Sequence, residues 1–155
     1  LLNNASITLN GVAQGWITDK ITELLKKNGI KNTLVDFGEY YALGLYQNQR
    51  PWRILLQGPG DINKVVELSN KAVATSGGYG TIFEPTATYH HIFDTKTGLS
   101  ANKFKAVSIL SNHAWLSDGI STAAVSMNKK NLIRVCKELN TIAYIVEKNK
   151  FNLLI

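Results

Sequence analysis

Two side chains in the last third of the chain, Asp118 and Thr122, carry hard oxygen donors four residues apart. Residues with that spacing lie on one face of a helix, and the apolar character of the run they open favours a helix over 116–127. Carboxylate and hydroxyl oxygens suit Mg²⁺ or Ca²⁺ rather than zinc or copper. The pair indicates either a divalent-cation site or an aspartate that caps a helix or interacts with its dipole.

A pair of adjacent histidines, His90 and His91, opens the stretch His-His-Ile-Phe-Asp-Thr-Lys-Thr-Gly over 90–98. In an extended strand the two rings face opposite ways, so they cannot chelate one ion together. A histidine at a strand end, ahead of a polar turn, can act as a general base or as a ligand. A partly buried histidine with a hydrogen bond is the other interpretation.

Two glycine-containing stretches, 9–15 (Leu-Asn-Gly-Val-Ala-Gln-Gly) and 74–79 (Ala-Thr-Ser-Gly-Gly-Tyr), have the small and hydroxylated residues of anion sites. Small residues at a helix start let the backbone approach a phosphate, and hydroxyls beside glycines at a strand end can bind phosphate or ribose. Neither stretch is a dinucleotide fingerprint or a Walker loop. Close helix packing and a plain hairpin turn remain the alternatives.

Length, apolar runs, charge and cysteine count limit the classes of protein that this sequence can belong to. The 155 residues suit one domain with a real core, and no apolar run reaches the length of a membrane span. The net charge of +6 comes from scattered lysines without an aromatic-interleaved stripe, so we predict no nucleic-acid binding, whereas a small anion such as a nucleotide fits. The single Cys136 excludes an internal disulfide and is expected to be a core thiol. The sequence starts at Leu1 without Met, as a mature, processed or trimmed chain would.

Periodicity and turn residues predict the elements that position these groups. Predicted strands cover 2–9, 33–37, 41–46, 52–57, 72–76, 106–110 and 141–146, with a hairpin joining 81–83 to 89–93. Predicted helices cover 11–28, 63–68 behind an Asp61 N-cap, 116–127 and 131–139. An apolar stripe of helical period marks the first helix, and it consists of Val12, Trp16, Ile17, Ile21, Leu24 and Leu25. Helices and hairpins without strict alternation predict an α+β fold with a mixed, mainly antiparallel sheet.

Six stretches, taken in order, resemble motifs of the ApbE family of FAD:protein FMN transferases. They are 11–19, 29–38, 51–54, 74–79, 91–98 and 116–122. For example, the stretch 91–98 is similar to the family's HIIDPRTG, and 74–79 is similar to its STSGDY. The resemblance covers nearly the whole chain, and it implies a single domain, 1–155, that is similar to the C-terminal part of such a transferase.

The resemblance also assigns roles to individual residues. It implies a Mg²⁺ ion held by the side chains of Asp118 and Thr122 and by the backbone carbonyl of Gly11. It implies catalytic roles for His91, as the group that takes the hydroxyl proton or orients the acceptor, and for Asp118, as ligand and proton acceptor together. The residues implied to contact the flavin dinucleotide are Thr8, Gln14, Phe93 and His91, with His91 beside the pyrophosphate.

The implied reaction is a phosphoryl-type transfer from FAD as substrate. A threonine hydroxyl of an acceptor protein attacks the FMN-side phosphorus, AMP leaves, and FMN stays on the protein as a phosphoester; such chemistry needs mostly positioning and charge neutralisation. The alternatives are a non-catalytic flavin-binding or assembly protein of the same fold, an inactive fragment, or a plain scaffold. The resemblance alone implies a periplasmic or cell-envelope location, with any membrane tether outside this chain.

Three departures from the family pattern qualify these expectations. Thr8 stands where members usually have an acid, Gln14 stands where they often have Lys, and Glu39 follows Gly38 where they have a second glycine. Family members are about twice as long, and their N-terminal half supplies more of the flavin pocket. We therefore expect this chain alone to bind FAD weakly and to transfer FMN poorly or not at all.

Overall fold

A six-stranded antiparallel sheet forms the centre of the protein, seen in a computed structural model that describes residues 6–86 and 88–155. Its strand order is β1-β2-β5-β6-β7-β8, and a separate two-stranded sheet pairs β3 with β4. The strands are β1 Thr33–Asp36, β2 Tyr40–Leu43, β3 Trp52–Gln57, β4 Asn63–Leu68, β5 Lys71–Ser76, β6 Val107–Ser111, β7 Ile142–Glu147 and β8 Lys150–Leu153. The helices are α1 Asn10–Lys27, α2 Ala114–Ala124 and α3 Lys129–Glu138, with a 3₁₀ turn over Gly78–Gly80. The predicted α+β class with a mainly antiparallel sheet is confirmed.

The sheet is covered on both faces, which explains why all five residues of the central strand β6 are buried. Alternation along each strand sends successive side chains to opposite faces. Leu110 packs on one face with Ile54 and Val66 of the β3–β4 hairpin. Ile109, its neighbour, packs on the other face with Leu132 and Cys136 of α3, which confirms Cys136 as a core thiol. Helices α1 and α2 pack against each other, and α2 also lies on β5 and β6.

The prediction of a helix over 63–68 is wrong, because these residues form β4. They pair in continuous antiparallel register with β3, from Trp52 opposite Leu68 to Gln57 opposite Asn63. Side chains alternate along the strand, with Val66 and Leu68 buried while Val65 is exposed. The β-branched valines and this period of two favour a strand. A turn that includes Gly60, at a positive φ of 66°, precedes the strand, so Asp61 caps no helix.

The chain termini also differ from the prediction. No strand forms in the described part of 2–9, where residues 6–9 run irregularly into α1; the remainder of that predicted strand lies outside the described residues. Strand β8 was not predicted, and it pairs with β7 through a turn at Lys148 and Asn149, both at positive φ. The predicted hairpin around 84–85 is present only as a short ladder, in which the N–H of Phe83 donates to the Tyr89 carbonyl at 2.9 Å.

The predicted apolar stripe of α1 is divided: Ile21 and Leu25 pack against the core beside β1 and β2, whereas Trp16, Ile17 and Leu24 are exposed. Trp16 is 55% exposed and Leu24 is 59% exposed. The residues that α1 buries are instead small or polar, namely Gly15, Thr18, Asp19 and Thr22. In the described part of the chain, no helix is both long and apolar enough to cross a membrane.

Candidate functional site

One pocket of about 930 Å³ opens where the first turns of α1, the middle of α2, the end of β5 and the segment around His91 meet. Every residue that the sequence assigned to a site lies at this pocket, although these residues come from parts of the chain more than 100 positions apart. They are Thr8, Gly11, Gln14, His91, Phe93, Asp118 and Thr122. The structure therefore brings the whole predicted set together.

Asp118 lies in the middle of α2 and is only 4% exposed. Its Oδ2 atom accepts a hydrogen bond of 3.0 Å from the backbone N–H of Gly15 on α1. Burial raises the pKa of this carboxyl above its ordinary value, while the Gly15 hydrogen bond acts in the opposite direction. Asp118 thus ties two helices together, and it is not the N-terminal cap of α2.

The glycines of α1 and α2 allow the two helices to approach each other at the pocket. A Cβ atom placed on Gly11 would lie 3.0 Å from Cγ2 of Thr122, and one placed on Gly119 would lie 3.9 Å from the Gly11 carbonyl oxygen. The Gly11 carbonyl therefore lies on the side of α1 that faces α2. The N–H of Gly15, which a regular helix would pair with this carbonyl, donates to Asp118.

Hydroxyl groups continue the polar surface from α2 onto β5. The Ser76 hydroxyl lies 2.8 Å from that of Ser121 and 3.2 Å from that of Thr122. Together with the Asp118 carboxylate and the Gly11 carbonyl, the Thr122 hydroxyl gives a set of neutral and anionic oxygen donors, which are the ligands that Mg²⁺ prefers. The donor set therefore fits a hard divalent cation. Within 6–86 and 88–155, no group of three or more His, Cys, Asp or Glu side chains is arranged to hold a metal.

Glu39 is a pocket residue that sequence reasoning noted only as a departure from the family pattern. It lies just before β2, is 7% exposed, and its Oε2 atom has no hydrogen-bond partner among the described residues. Burial, followed by the nearby Asp118 charge, raises the pKa of Glu39 to about 8. The available signal in the sequence was a glutamate directly after Gly38, where the family pattern has a second glycine.

Thr8 and Gln14 lie at the rim of the pocket with exposed side chains. The Thr8 hydroxyl oxygen accepts a 3.2 Å hydrogen bond from the N–H of Asn10, the first residue of α1. A Cβ atom on Gly38 would lie 2.7 Å from Nε2 of Gln14, so this glycine leaves room for the Gln14 amide. Both side chains are close to the N-terminus of α1, where backbone N–H groups favour an anion.

The two adjacent histidines have different environments, as strand alternation predicts. His90 is 1% exposed; its Nδ1 accepts from the N–H of Ile92 at 3.3 Å, so its Nε2 carries the proton and donates to Asn102 at 3.2 Å. His91 is exposed at the pocket, and its Nδ1 lies 3.2 Å from the Thr81 carbonyl oxygen. A carbonyl only accepts, so Nδ1 donates and Nε2 of His91 keeps a free lone pair. His90 is structural, and His91 has the tautomer of a proton acceptor.

Phe93 provides an apolar surface beside these polar groups. Its ring is 52% exposed and lies 6.3 Å, centroid to centroid, from that of Phe83. Tyr79, which also lines the pocket, donates its hydroxyl hydrogen to the carbonyl of Gln57. The described lining therefore offers two aromatic residues, at separate positions, for contact with a ligand ring.

Comparison with known proteins finds similarity to flavin transferases. The sequence profile of the ApbE family matches residues 2–146. The chain is 31% identical over 138 residues to the FAD:protein FMN transferase of Vibrio cholerae serotype O1, covering 84% of this chain and 41% of that relative. It is 30% identical over 147 residues to the protein of the same name from Treponema pallidum, covering 85% and 41%.

Solved structures of ApbE proteins are also similar to this chain. The flavin transferase ApbE from Vibrio cholerae is similar with a TM-score of 0.79 at 26% identity, covering 95% of this chain and 49% of that chain. The ApbE protein from Thermotoga maritima is similar with a TM-score of 0.81 at 27% identity, covering 93% and 49%. The chain thus spans less than half the length of these relatives.

Proposed function

The chain belongs to the ApbE family, and from that premise we propose that it is the cation- and pyrophosphate-holding part of an FAD:protein FMN transferase. The proposed reaction moves FMN from FAD to a threonine hydroxyl of an acceptor protein and releases AMP. The observation that carries the proposal is the convergence of all seven predicted residues on one pocket of about 930 Å³, a size suited to a ligand as large as a nucleotide.

The cation in this proposal is Mg²⁺, held by the carboxylate of Asp118, the hydroxyl of Thr122 and the carbonyl of Gly11. When bound, it would neutralise the charge of the pyrophosphate and of the transferring phosphoryl group. Gly15 fixes the Asp118 carboxylate through a 3.0 Å hydrogen bond, so one oxygen of that carboxylate has a set position before any ligand arrives.

His91 is the proposed general base. The acceptor threonine oxygen forms a bond to the FMN-side phosphorus, and the bond from that phosphorus to the bridging oxygen breaks, so that AMP leaves with the electron pair. The hydroxyl proton moves to Nε2 of His91, whose lone pair is free because Nδ1 donates to Thr81. Its exposed position at the pocket leaves access for an acceptor chain.

The start of α1 contributes to anion binding in this scheme. The side-chain amide of Gln14 is a hydrogen-bond donor that suits phosphate oxygens, and the positive end of the α1 dipole favours an anion. Thr8 adds a hydroxyl at the same end, and Phe93 adds an apolar face for a flavin or adenine ring. The proposed setting is the periplasm or cell envelope, with any membrane tether outside this chain; it is supported by the family resemblance alone.

The test is incubation of the chain with FAD, Mg²⁺ and a threonine-bearing acceptor protein, followed by mass spectrometry of the acceptor. The chain alone should transfer FMN poorly or not at all, so a mass increase of one FMN, lost when the cation is chelated, is expected when an N-terminal half is also supplied. Because the relatives are longer, a parallel reaction supplies the N-terminal half of the Vibrio cholerae relative. FAD binding without any mass increase in either reaction would favour the non-catalytic flavin-binding alternative.

The variant His91→Ala tests whether His91 acts as a general base or as a residue that binds FAD. We expect the rate of transfer to fall by roughly 10²–10⁴-fold, as for loss of a general base, with FAD affinity retained within a few-fold. His113→Ala, which removes an exposed histidine outside the pocket lining, is the matched control. Loss of FAD binding with unchanged turnover at saturation would instead make His91 a binding residue.

A further inference from the structure

We propose that Glu39 is a second carboxylate ligand of the divalent cation held by Asp118. This inference rests on the proposed function, since it deepens the description of the same site. It adds to the predicted set of Gly11, Asp118 and Thr122 a residue that no motif had assigned to the metal.

The first observation is an unsatisfied atom. Glu39 is more than nine-tenths buried, yet its Oε2 atom has no hydrogen-bond partner among the described residues. Buried carboxylate oxygens are almost always paired, and an orphaned one in a folded protein calls for a partner such as an ion. Glu39 lines the pocket, so that partner would be a ligand within it.

The second observation concerns the backbone that holds Glu39. Its carbonyl oxygen accepts from the hydroxyl of Thr18 on α1 at 3.3 Å and from the N–H of Phe37 at 3.3 Å. The next residue, Tyr40, begins β2 and pairs with β1 and β5. These hydrogen bonds therefore fix the backbone of Glu39 between the sheet and α1.

The third observation is the charge balance of the pocket. Although the whole chain carries a formal charge of +6, none of the described residues that line the pocket is Lys or Arg. Two buried carboxyl groups, Glu39 and Asp118, share this lining. A divalent cation held by both would compensate their charges and would remove the repulsion that they otherwise exert on a pyrophosphate ligand.

This arrangement has a measurable consequence. A site with two carboxylates should bind a divalent cation before FAD arrives, whereas a site with one carboxylate, a hydroxyl and a carbonyl would depend more on the phosphate oxygens. We therefore expect the chain to bind Mn²⁺, used as a spectroscopic substitute for Mg²⁺, in the absence of any nucleotide.

The experiment is titration of the full chain with Mn²⁺, in which electron paramagnetic resonance measures the free ion. Glu39→Gln should weaken Mn²⁺ affinity on the order of 10–100-fold, and Asp118→Asn should weaken it at least as much. Glu67→Gln, which changes an exposed glutamate on β4, should leave the affinity unchanged. Circular dichroism checks that each variant is folded; if Glu39→Gln is not, Glu39→Asp, which withdraws the carboxylate by one methylene, should also weaken binding.

The outcomes separate the two proposals. If Asp118→Asn weakens binding and folded Glu39 variants match the parent chain, Glu39 is not a ligand and only this inference fails. If the parent binds no Mn²⁺ in the absence of nucleotide, this inference fails, and the titration is repeated with FAD present to test the cation site of the proposed function. If Asp118→Asn binds Mn²⁺ as well as the parent with FAD present, that cation site fails as well.

Discussion

The two faces of helix α1 differ in the kind of side chain that they carry. The inner face, which packs against α2 and the sheet, buries Gly15, Thr18, Asp19 and Thr22. The outer face exposes Trp16, Ile17 and Leu24. Part of it forms an apolar groove of about 550 Å³ lined by Leu9, Val12, Ala13, Trp16 and Trp115. Close approach and hydrogen bonds therefore position α1 together with the packing of Ile21 and Leu25 on the core.

The polar inner face satisfies its own hydrogen bonds. The Thr22 hydroxyl donates to the carbonyl of Thr18 at 2.8 Å, and the Thr18 hydroxyl lies within hydrogen-bonding distance of the carbonyls of Gln14 and Glu39. Asp19 accepts from the N–H groups of Ala114 and Trp115 at 2.9 and 3.0 Å. These hydrogen bonds fix the position of α1, so Gly11 is held accurately at the pocket and Gly15 is held beside Asp118. A binding site requires such fixed positions.

Gly15→Ala should have the largest effect on stability. A Cβ atom there would lie 2.7 Å from the Cα atom of Trp115, and backbone atoms cannot move aside as a side chain can. Alanine favours a helix by about 1 kcal/mol, but overpacking should dominate, so we expect a loss of about 3 kcal/mol. Urea denaturation measures this. Gly119→Ala, where the neighbour is the Val12 side chain at 3.1 Å, should cost much less; equal costs would show that close approach does not position α1.

Asp19→Ala should have the next largest effect. His113, the residue before α2, makes no side-chain cap hydrogen bond with described residues, so Asp19 supplies the cap from α1. Losing two hydrogen bonds to a charged group at a helix N-terminus should cost about 2 kcal/mol. Thermal unfolding of Asp19→Ala against Asp61→Ala, an exposed aspartate before β4, measures the difference. A stability equal to that of the control would show that the inner-face hydrogen bonds contribute little.

Glu39, which lies where the inner face of α1 meets the pocket, should make the free energy of unfolding depend on pH. Its pKa is raised from the ordinary 4.5 to about 8 in the folded chain, so the unfolded chain loses this proton first as pH rises. The free energy of unfolding should therefore fall between pH 4.5 and 8, by up to about 1.4 kcal/mol per pH unit from this group. Denaturation across this range without divalent cations, compared with Glu39→Gln, checks it; the variant should show a flatter profile, and parallel profiles would contradict the assignment.

Trp16→Gln on the outer face should have the smallest effect. The ring is 55% exposed, and its neighbour Lys20, with Nζ 5.8 Å from the ring centroid, is also exposed. Surface substitutions of this kind usually change stability by about 0.5 kcal/mol or less. Chemical denaturation of Trp16→Gln and Asp19→Ala under the same conditions compares their losses of stability directly. A loss as large as that of Asp19→Ala would mean that the groove around Trp16 contributes as much as the inner face.

The sequence predicted the helices and most strands well, because their periodicity and turn residues are local signals. It failed at β4, where Asp61 ahead of an apolar segment resembles a helix start and only pairing with β3 shows otherwise. It did not predict that Trp16, Ile17 and Leu24 of the α1 stripe are exposed, because contacts of Gly15 and Asp19 with α2 turn a different side of the helix inward. At the site, ordered motifs identified the pocket residues, whereas the unpaired oxygen of Glu39 depends on three-dimensional burial that no motif records.

The hydrogen bond between Gly15 and Asp118 has a consequence for the order of folding. It joins residues 103 positions apart, and that between Asp19 and Ala114 joins residues 95 apart. Closing loops of this length costs chain entropy, and contacts so distant in sequence slow folding. The hairpins β3–β4 and β7–β8 join neighbouring segments and can form early, whereas the pocket requires α1 to meet α2. Recovery of ligand binding should therefore lag behind recovery of strand signal in refolding, and a chain that binds its ligand has completed its fold.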